Sequence, residues 1–412
     1  MRANANLRVL VLSVACFLIC LFAAGVVFAQ DVGADVTGGA GIFRAKNPET
    51  KAKSKAPATS TKSSNRPANK SKGPALEERV EELLEKGNSF RDARKYSEAE
   101  AAYQGILKIK PKDSRAAYGL GNVYSDQQKW DEAETAYRNA TQWSPNNADA
   151  YLALSVVLVQ PKPGGDNAKR FADAELAARR SVQIEPQNAV GWDRLGVALQ
   201  SRGIINSETE HSYRRAIELD PQFAVAYAHL ARLLNKTNRQ AEAVPLYTKA
   251  TELAKDPDTL NLIAESLQAE QLWPSSEPVL KQALSLDGRN PTSLLLMARF
   301  LIVYKRFTEA EPYLNTAIEV SPRAYQPYNL LGRVYLAMNR LDEASTKYES
   351  ASGFASAGER KQLAGLYGFE GVGDAYIKAN QKTKAEKAYQ RALELDPGND
   401  VISQKLAKAR TN

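Results

Sequence analysis

From residue 76 onward, apolar positions return every three to four residues in short runs that break at regular intervals. Tyr118, Leu120, Gly121 and Tyr124 mark one amphipathic stretch. Ala133, Tyr137 and Ala140 mark the next, and Pro145 stops it. The same set returns as Tyr328, Leu331, Gly332, Tyr335, Ala344, Tyr348 and Ala351, and again as Val372, Gly373, Tyr376, Ala385, Tyr389, Ala392 and Pro397. A 3.6-residue period on runs this short predicts pairs of helices without strands.

Nine such pairs start near residues 80, 114, 148, 189, 224, 257, 291, 325 and 366. Small residues recur where helix axes must approach: Gly87, Gly121, Ser155, Gly196, Ala231, Ala264, Ala298, Gly332 and Gly373 on the first helices, and Ala99, Ala133, Ala174, Ala243, Ala310, Ala344 and Ala385 on the second. A larger side chain there would push the paired helices apart. Pro111, Pro145, Pro186, Pro221, Pro322 and Pro397 follow second helices, which cannot run through them. One pair cannot bury its own apolar face, so neighbours must stack.

The pattern resembles the tetratricopeptide repeat, a helix–turn–helix unit of 34 residues. The resemblance covers residues 76–398. It implies an all-α chain, a right-handed α-solenoid of about nine helix–turn–helix repeats, closed by a capping helix within 399–412. Departures from the pattern are expected to matter locally. The third repeat carries an insertion around Pro161–Asp166, and another around Gly353 to Lys361 separates the eighth from the ninth. Thr209 and Ser276 replace the second-helix alanine, and Pro278 falls inside a helix, so the sixth repeat is expected to be the least regular.

The family resemblance implies protein binding along a concave groove lined by first-helix positions 2, 5, 9, 12 and 13. In this sequence the groove candidates fall into two groups. Leu152, Val156 and Val159 in the third repeat are apolar, Val190 and Val197 extend them in the fourth with Asp193 interrupting, and Leu295, Ile302 and Val303 repeat the feature in the seventh. A helix apolar nearly all round must be covered, by the inserted loop at 161–166 or by a partner. Arg232, Arg299 and Arg333 share position 9 in the fifth, seventh and eighth repeats, with Glu265 there in the sixth. They suit an acidic peptide or ion pairs with Glu265 and Asp258. Asn88 and Asn122 stand at the asparagine positions of the carboxylate clamp that some family members carry, but Leu84 and Val156 leave that clamp incomplete.

The front of the chain differs. Arg2 and Arg8 precede an apolar run from Val9 to Phe28, as in a secretory signal peptide cleaved after Ala29. The run is also long enough to serve as an uncleaved anchor. Either reading places 1–29 as a targeting segment and exports the remainder, to the periplasm or beyond, with the anchored form facing outward from the inner membrane. Both cysteines, Cys16 and Cys20, lie in this run. Residues 30–75 carry Lys51, Lys53, Lys55, Lys62, Lys70 and Lys72 among Ala, Ser, Thr, Pro and Asn, the composition of a disordered basic linker: a solvated tether or a strip for anionic surfaces.

Charge changes the picture only after partition. The chain is +8 overall, yet the excess resides in residues 1–75, and the repeat body is neutral. It has no net field to attract a nucleic-acid backbone. Two histidines and two cysteines in 412 residues argue against a zinc site, a disulfide scaffold or histidine catalysis. His211 and His229 sit on separate helices, Gly371-Val372-Gly373 belongs to the repeat pattern, and Asp131-Glu132 and Asp342-Glu343 open second helices where acids favour the helix dipole. No phosphate loop, nucleophile elbow or metalloprotease motif occurs. The expected function is a non-enzymatic, exported protein-interaction scaffold without a cofactor, taking a peptide or helix in its groove. The alternatives are a membrane-tethered factor for secretion, pilus or outer-membrane assembly and, more remotely, the regulatory repeats of a glycosyltransferase-like system.

Overall fold

The computed structural model describes residues 43–50 and 72–411, so the segment 1–29 and both cysteines lie outside the described residues. The described chain is helical throughout, with no strand among those residues. It falls into two compact units, divided after Leu253.

The first unit holds five helix pairs: α1 (Lys72–Asp92) with α2 (Tyr96–Ile109), α3 (Ser114–Asp126) with α4 (Trp130–Trp143), α5 (Ala148–Leu158) with α6 (Asn167–Ile184), α7 (Ala189–Ser201) with α8 (Ser207–Leu219), and α9 (Ala224–Lys236) with α10 (Gln240–Leu253). The second unit continues with α11 (Pro257–Ala269) and α12 (Trp273–Leu286), α13 (Pro291–Val303) and α14 (Phe307–Val320), α15 (Tyr325–Ala337) and α16 (Leu341–Phe354), α17 (Ala357–Ala364), α18 (Phe369–Lys378) and α19 (Lys382–Leu395), and the capping helix α20 (Asp400–Thr411). Within each unit every second helix packs on its own first helix and on the first helix of the next repeat, so each unit is an α-solenoid.

The packing explains the small residues. A Cβ on Gly87, Gly121, Gly196, Gly332 or Gly373 would stand 2.4–2.7 Å from the ring of Tyr103, Tyr137, Tyr213, Tyr348 or Tyr389 on the paired helix. The tyrosine therefore fills the space that the glycine vacates, and burying each ring contributes roughly 1.5–3 kcal/mol. Where the second helix carries Leu280 or Leu314 instead, the first helix carries Ala264 or Ala298. Asp113, Asn147, Asn188, Asp256 and Asn290 cap first helices by accepting backbone N–H bonds. Seven of the interhelix turns use a non-glycine residue in the left-handed region, at Arg94, Gln128, Asn238, Gln271, Lys305, Asn339 and Asn380.

One local expectation meets a different outcome, and two departures from the pattern take definite form. The sixth repeat is regular: α12 runs unbroken through Pro278, and α10 and α14 carry Pro245 and Pro312 at the same sixth helical position. The buried Ser276 there is satisfied, donating to the Trp273 carbonyl at 2.7 Å, and Thr209 donates to Ile204 at 2.8 Å. The insertion after the eighth repeat forms α17, opened by a reciprocal cap between Ser356 and Glu359. Asp131 and Asp342 stand in the first turns of their helices, as the dipole reading expects, and also reach neighbouring segments, Asp131 to Lys162 and Asp342 to Tyr376 and Lys384.

Candidate functional site: the concave grooves

In the first unit, part of the basic linker lies against the first helices. Residues 43–50 pass across the first-helix surface of the leading repeats, with Ala45 and Pro48 buried and Asn47 half-buried. This corrects the reading of the whole of 30–75 as a solvated tether for these eight residues. Their composition is less lysine-rich than that of residues 51–75, and their backbone carbonyls find donors.

Those donors are spaced by the repeat. Asn122 donates its amide N–H to the Lys46 carbonyl at 2.7 Å, and Asn88, at the same position one repeat earlier, donates to the Pro48 carbonyl at 3.0 Å. Carbonyls two residues apart in an extended chain point the same way, so two successive repeats read alternate peptide units. Each asparagine is oriented from behind. Tyr137 Oη donates to Asn122 Oδ1 at 2.9 Å and Tyr103 Oη to Asn88 Oδ1 at 2.7 Å. Burial pushes both phenols well above their ordinary pKa, which keeps them protonated donors.

Arg91 adds a third hold. It is buried, clasped by both carboxylate oxygens of Asp126 at 2.8 and 2.9 Å. Its remaining nitrogen donates to the Ala45 carbonyl at 2.7 Å and to Asn47 Oδ1 at 2.9 Å. Burial pulls the Arg91 pKa down, but Asp126 more than compensates, so the guanidinium stays a cation. Asn47 in turn donates to Asp92 at 2.9 Å, and Arg44 donates to the other Asp92 oxygen at 3.1 Å. Phe43 ends the segment at a recess of about 260 Å³ whose walls include Leu152, Val190, Arg194, Phe223 and Val225. The Arg194 guanidinium carbon is 5.9 Å from the Phe43 ring centroid. Lys46 faces Asp149, whose pKa burial raises against the pull of that lysine.

The sequence candidates separate accordingly. Leu152 and Val190 line the recess at Phe43. Val156, Val159 and Val197 are buried, while the inserted loop 161–166 is exposed throughout and its Lys162 turns to Asp131 on α4. Asp193 is not a groove residue but a wholly buried carboxylate, 2.7 Å from His229 Nδ1. Burial raises the Asp193 pKa, but the hydrogen bond with His229 and the Arg194 and Arg232 charges outweigh it and hold it below the usual range. Arg232 thus acts on an internal carboxylate. Asn88 and Asn122 were legible as special positions, whereas Arg91, Asp92 and Asp126 were not. The available signal was an acid four residues after each of these asparagines, found in those two repeats alone.

In the second unit, position 9 carries Glu265, Arg299 and Arg333. Glu265 and Leu295 are half-buried, and Arg299, Ile302 and Arg333 are buried. The Arg333 guanidinium lies 4.9 Å from the centroid of Tyr367, in the turn between α17 and α18. Asp258 accepts from Asn290 at 3.4 Å. In the ninth repeat Asp374 takes the asparagine place, accepts from Tyr389 and is paired with Lys405 of the capping helix at 2.7 Å. Among the described residues no cluster of His, Cys, Asp or Glu could hold a metal ion, and no helix is long and apolar enough to cross a membrane.

The tetratricopeptide repeat model matches residues 84–148, 118–189 and 305–357, and sister models of the same description match 212–244 and 367–399. No curated protein matches the chain. Among solved structures, yeast Tom70 superposes with a TM-score of 0.54 at 17% identity, over 90% of this chain and 72% of that one. A structure titled as the APC/C hetero-tetramer Cut9-Hcn1 aligns with a TM-score of 0.44 at 16% identity, over 82% of this chain and 64% of that one. MamA from Desulfovibrio magneticus RS-1 aligns with a TM-score of 0.38 at 18% identity, over 42% of this chain and 94% of that one. At such identities the Tom70 likeness is one of fold.

Proposed function

We propose that this chain, which belongs to the tetratricopeptide repeat family, is a non-enzymatic scaffold that holds an extended peptide of a partner protein in its concave grooves. The observation that carries this reading is the grip on residues 43–50: Asn88, Asn122 and Arg91 hold an extended chain by its carbonyls. Main-chain recognition of this kind supplies affinity for an extended segment, and side-chain pockets supply the choice among segments. The second unit offers different chemistry, with Arg299 and Arg333 suited to an acidic peptide.

Capture of partners from extracts by the intact protein tests this. The Arg299→Ala/Arg333→Ala variant is expected to lose the salt-dependent part of capture with an unchanged circular dichroism spectrum. Unchanged capture would remove the arginines from the site. The protein acts outside the cytoplasm, in keeping with Arg2, Arg8 and the apolar run to Phe28. N-terminal sequencing of the native protein is expected to begin near Gln30. An intact Met1 in a detergent-soluble fraction would favour the anchored assembly factor instead.

A further inference from the structure

Residues 43–50 do more than demonstrate that the groove can hold a peptide, because they already occupy it. We infer that this segment is a tethered competitor: an incoming peptide enters the groove of the first unit only when residues 43–50 leave it, and it must offer the same side-chain chemistry. The inference rests on the groove reading of the proposed function and deepens it by naming the ligand class.

The contacts define that chemistry. The carbonyl bonds from Asn88, Asn122 and Arg91 are indifferent to sequence, whereas four side chains of the segment are read individually. Asn47 is read at both ends of its amide, accepting from Arg91 and donating to Asp92. No other side chain of similar size has an acceptor and a donor so disposed. Arg44 reaches Asp92 at 3.1 Å and Asp126 at 3.7 Å, so a cation three residues before the asparagine is favoured. Ala45 is buried, so a small side chain is favoured there. Pro48 brings no N–H that the buried position would have to satisfy. The ligand class is therefore an extended peptide reading Arg-small-x-Asn-Pro.

Tethering sets the competition. Residues 51–71 join the segment covalently to α1, and a short tether holds its cargo at an effective concentration on the order of millimolar. A free peptide of equal intrinsic affinity is thus outcompeted at micromolar levels, and binding becomes conditional on whatever withdraws the segment.

The test uses the full chain and a labelled synthetic peptide copying residues 43–50, followed by fluorescence polarisation. Replacing residues 43–50 in the full chain by a Gly/Ser stretch is expected to tighten binding of the peptide at least tenfold. The same peptide carrying Asn47→Ala or Arg44→Glu is expected to lose that gain. Should the replaced chain fail to fold, the full-length Arg44→Ala/Asn47→Ala variant is expected to give the same tightening. Equal affinity for the unaltered and replaced chains overturns the tethered competitor and leaves the groove reading standing. No binding to a replaced chain whose circular dichroism matches the unaltered protein overturns both. Self-association of the unaltered chain that rises with concentration and vanishes on replacement would place the segment between copies and overturn the intramolecular reading.

Discussion

The second and eighth repeats, one in each unit, share one helix-pair architecture and differ in what stands at position 9 of the first helix. In the second repeat it is Asn122, and Tyr137 behind it donates to the amide oxygen. In the eighth repeat it is Arg333, and the buried Tyr348 hydroxyl has no hydrogen-bond partner. The difference follows from the donor inventory. An amide accepts on one side and donates on the other, so it relays the tyrosine outward to a peptide carbonyl. A guanidinium only donates, so it cannot accept the phenol's O–H as the amide oxygen does. The second repeat accordingly turns an amide N–H toward a main-chain carbonyl, and the eighth holds a buried guanidinium beside Tyr367.

Arg91→Ala should strain this comparison most. It deprives Asp126 of its bidentate partner and the Ala45 carbonyl of its donor. Breaking a buried pair from one side costs roughly 3–5 kcal/mol. Hydrogen exchange is expected to quicken in α1 through α4 and to stay unchanged in the second unit. Equal protection in the variant would mean that the segment contributes nothing to the first unit.

Asn122→Ala is next. It orphans the Tyr137 hydroxyl and the Lys46 carbonyl, at about 1–3 kcal/mol. Denaturant unfolding followed by far-UV circular dichroism should show the first transition weakened and residues 43–50 opened to protease.

Acid also separates the units, because both histidines lie in the first. Burial lowers the His229 pKa against the opposing pull of Asp193, so the folded state keeps it neutral. The unfolded chain takes up a proton near pH 6.5. The first unit is therefore stabilised fully above that value and loses stability as pH falls below it, by at most about 1.4 kcal/mol at pH 5.5. Melting curves at pH 7.5 and 5.5 should shift the first unit's transition, and His229→Gln should abolish the difference between them.

The finest distinction is a matched pair of hydroxyl deletions. Tyr137→Phe removes the bond that aims Asn122 and is expected to cost about 1 kcal/mol. Tyr348→Phe removes a buried hydroxyl without a partner and is expected to be neutral or stabilising. Thermal melts in which both variants lose stability equally would erase the contrast at position 9.

The helix pairs were legible because each rests on local chemistry that repeats. Glycine opposite tyrosine, alanine at the crossing and proline after the second helix set the repeat boundaries. The irregularity expected at Pro278 did not materialise. A proline early in a helix sacrifices one N–H bond, and the neighbouring repeats accept the same loss at Pro245 and Pro312. Asp193 was misplaced for another reason. Its position in the helical pattern faces the groove, but His229 on the next repeat supplies a buried partner that the spacing within one helix does not reveal.

What the sequence determined alone is the repeat, since close packing between adjacent helices imposes a composition on every unit. What only the tertiary structure decided is the fate of residues 43–50 and the site that receives them. Asn88, Arg91, Asp92, Asn122 and Asp126 come from two helices, and the carbonyls that Asn88 and Asn122 hold lie 40 and 76 residues earlier in the chain. No local pattern links them. The link is the stagger of successive first helices, which brings equivalent side chains to alternate carbonyls of one extended segment.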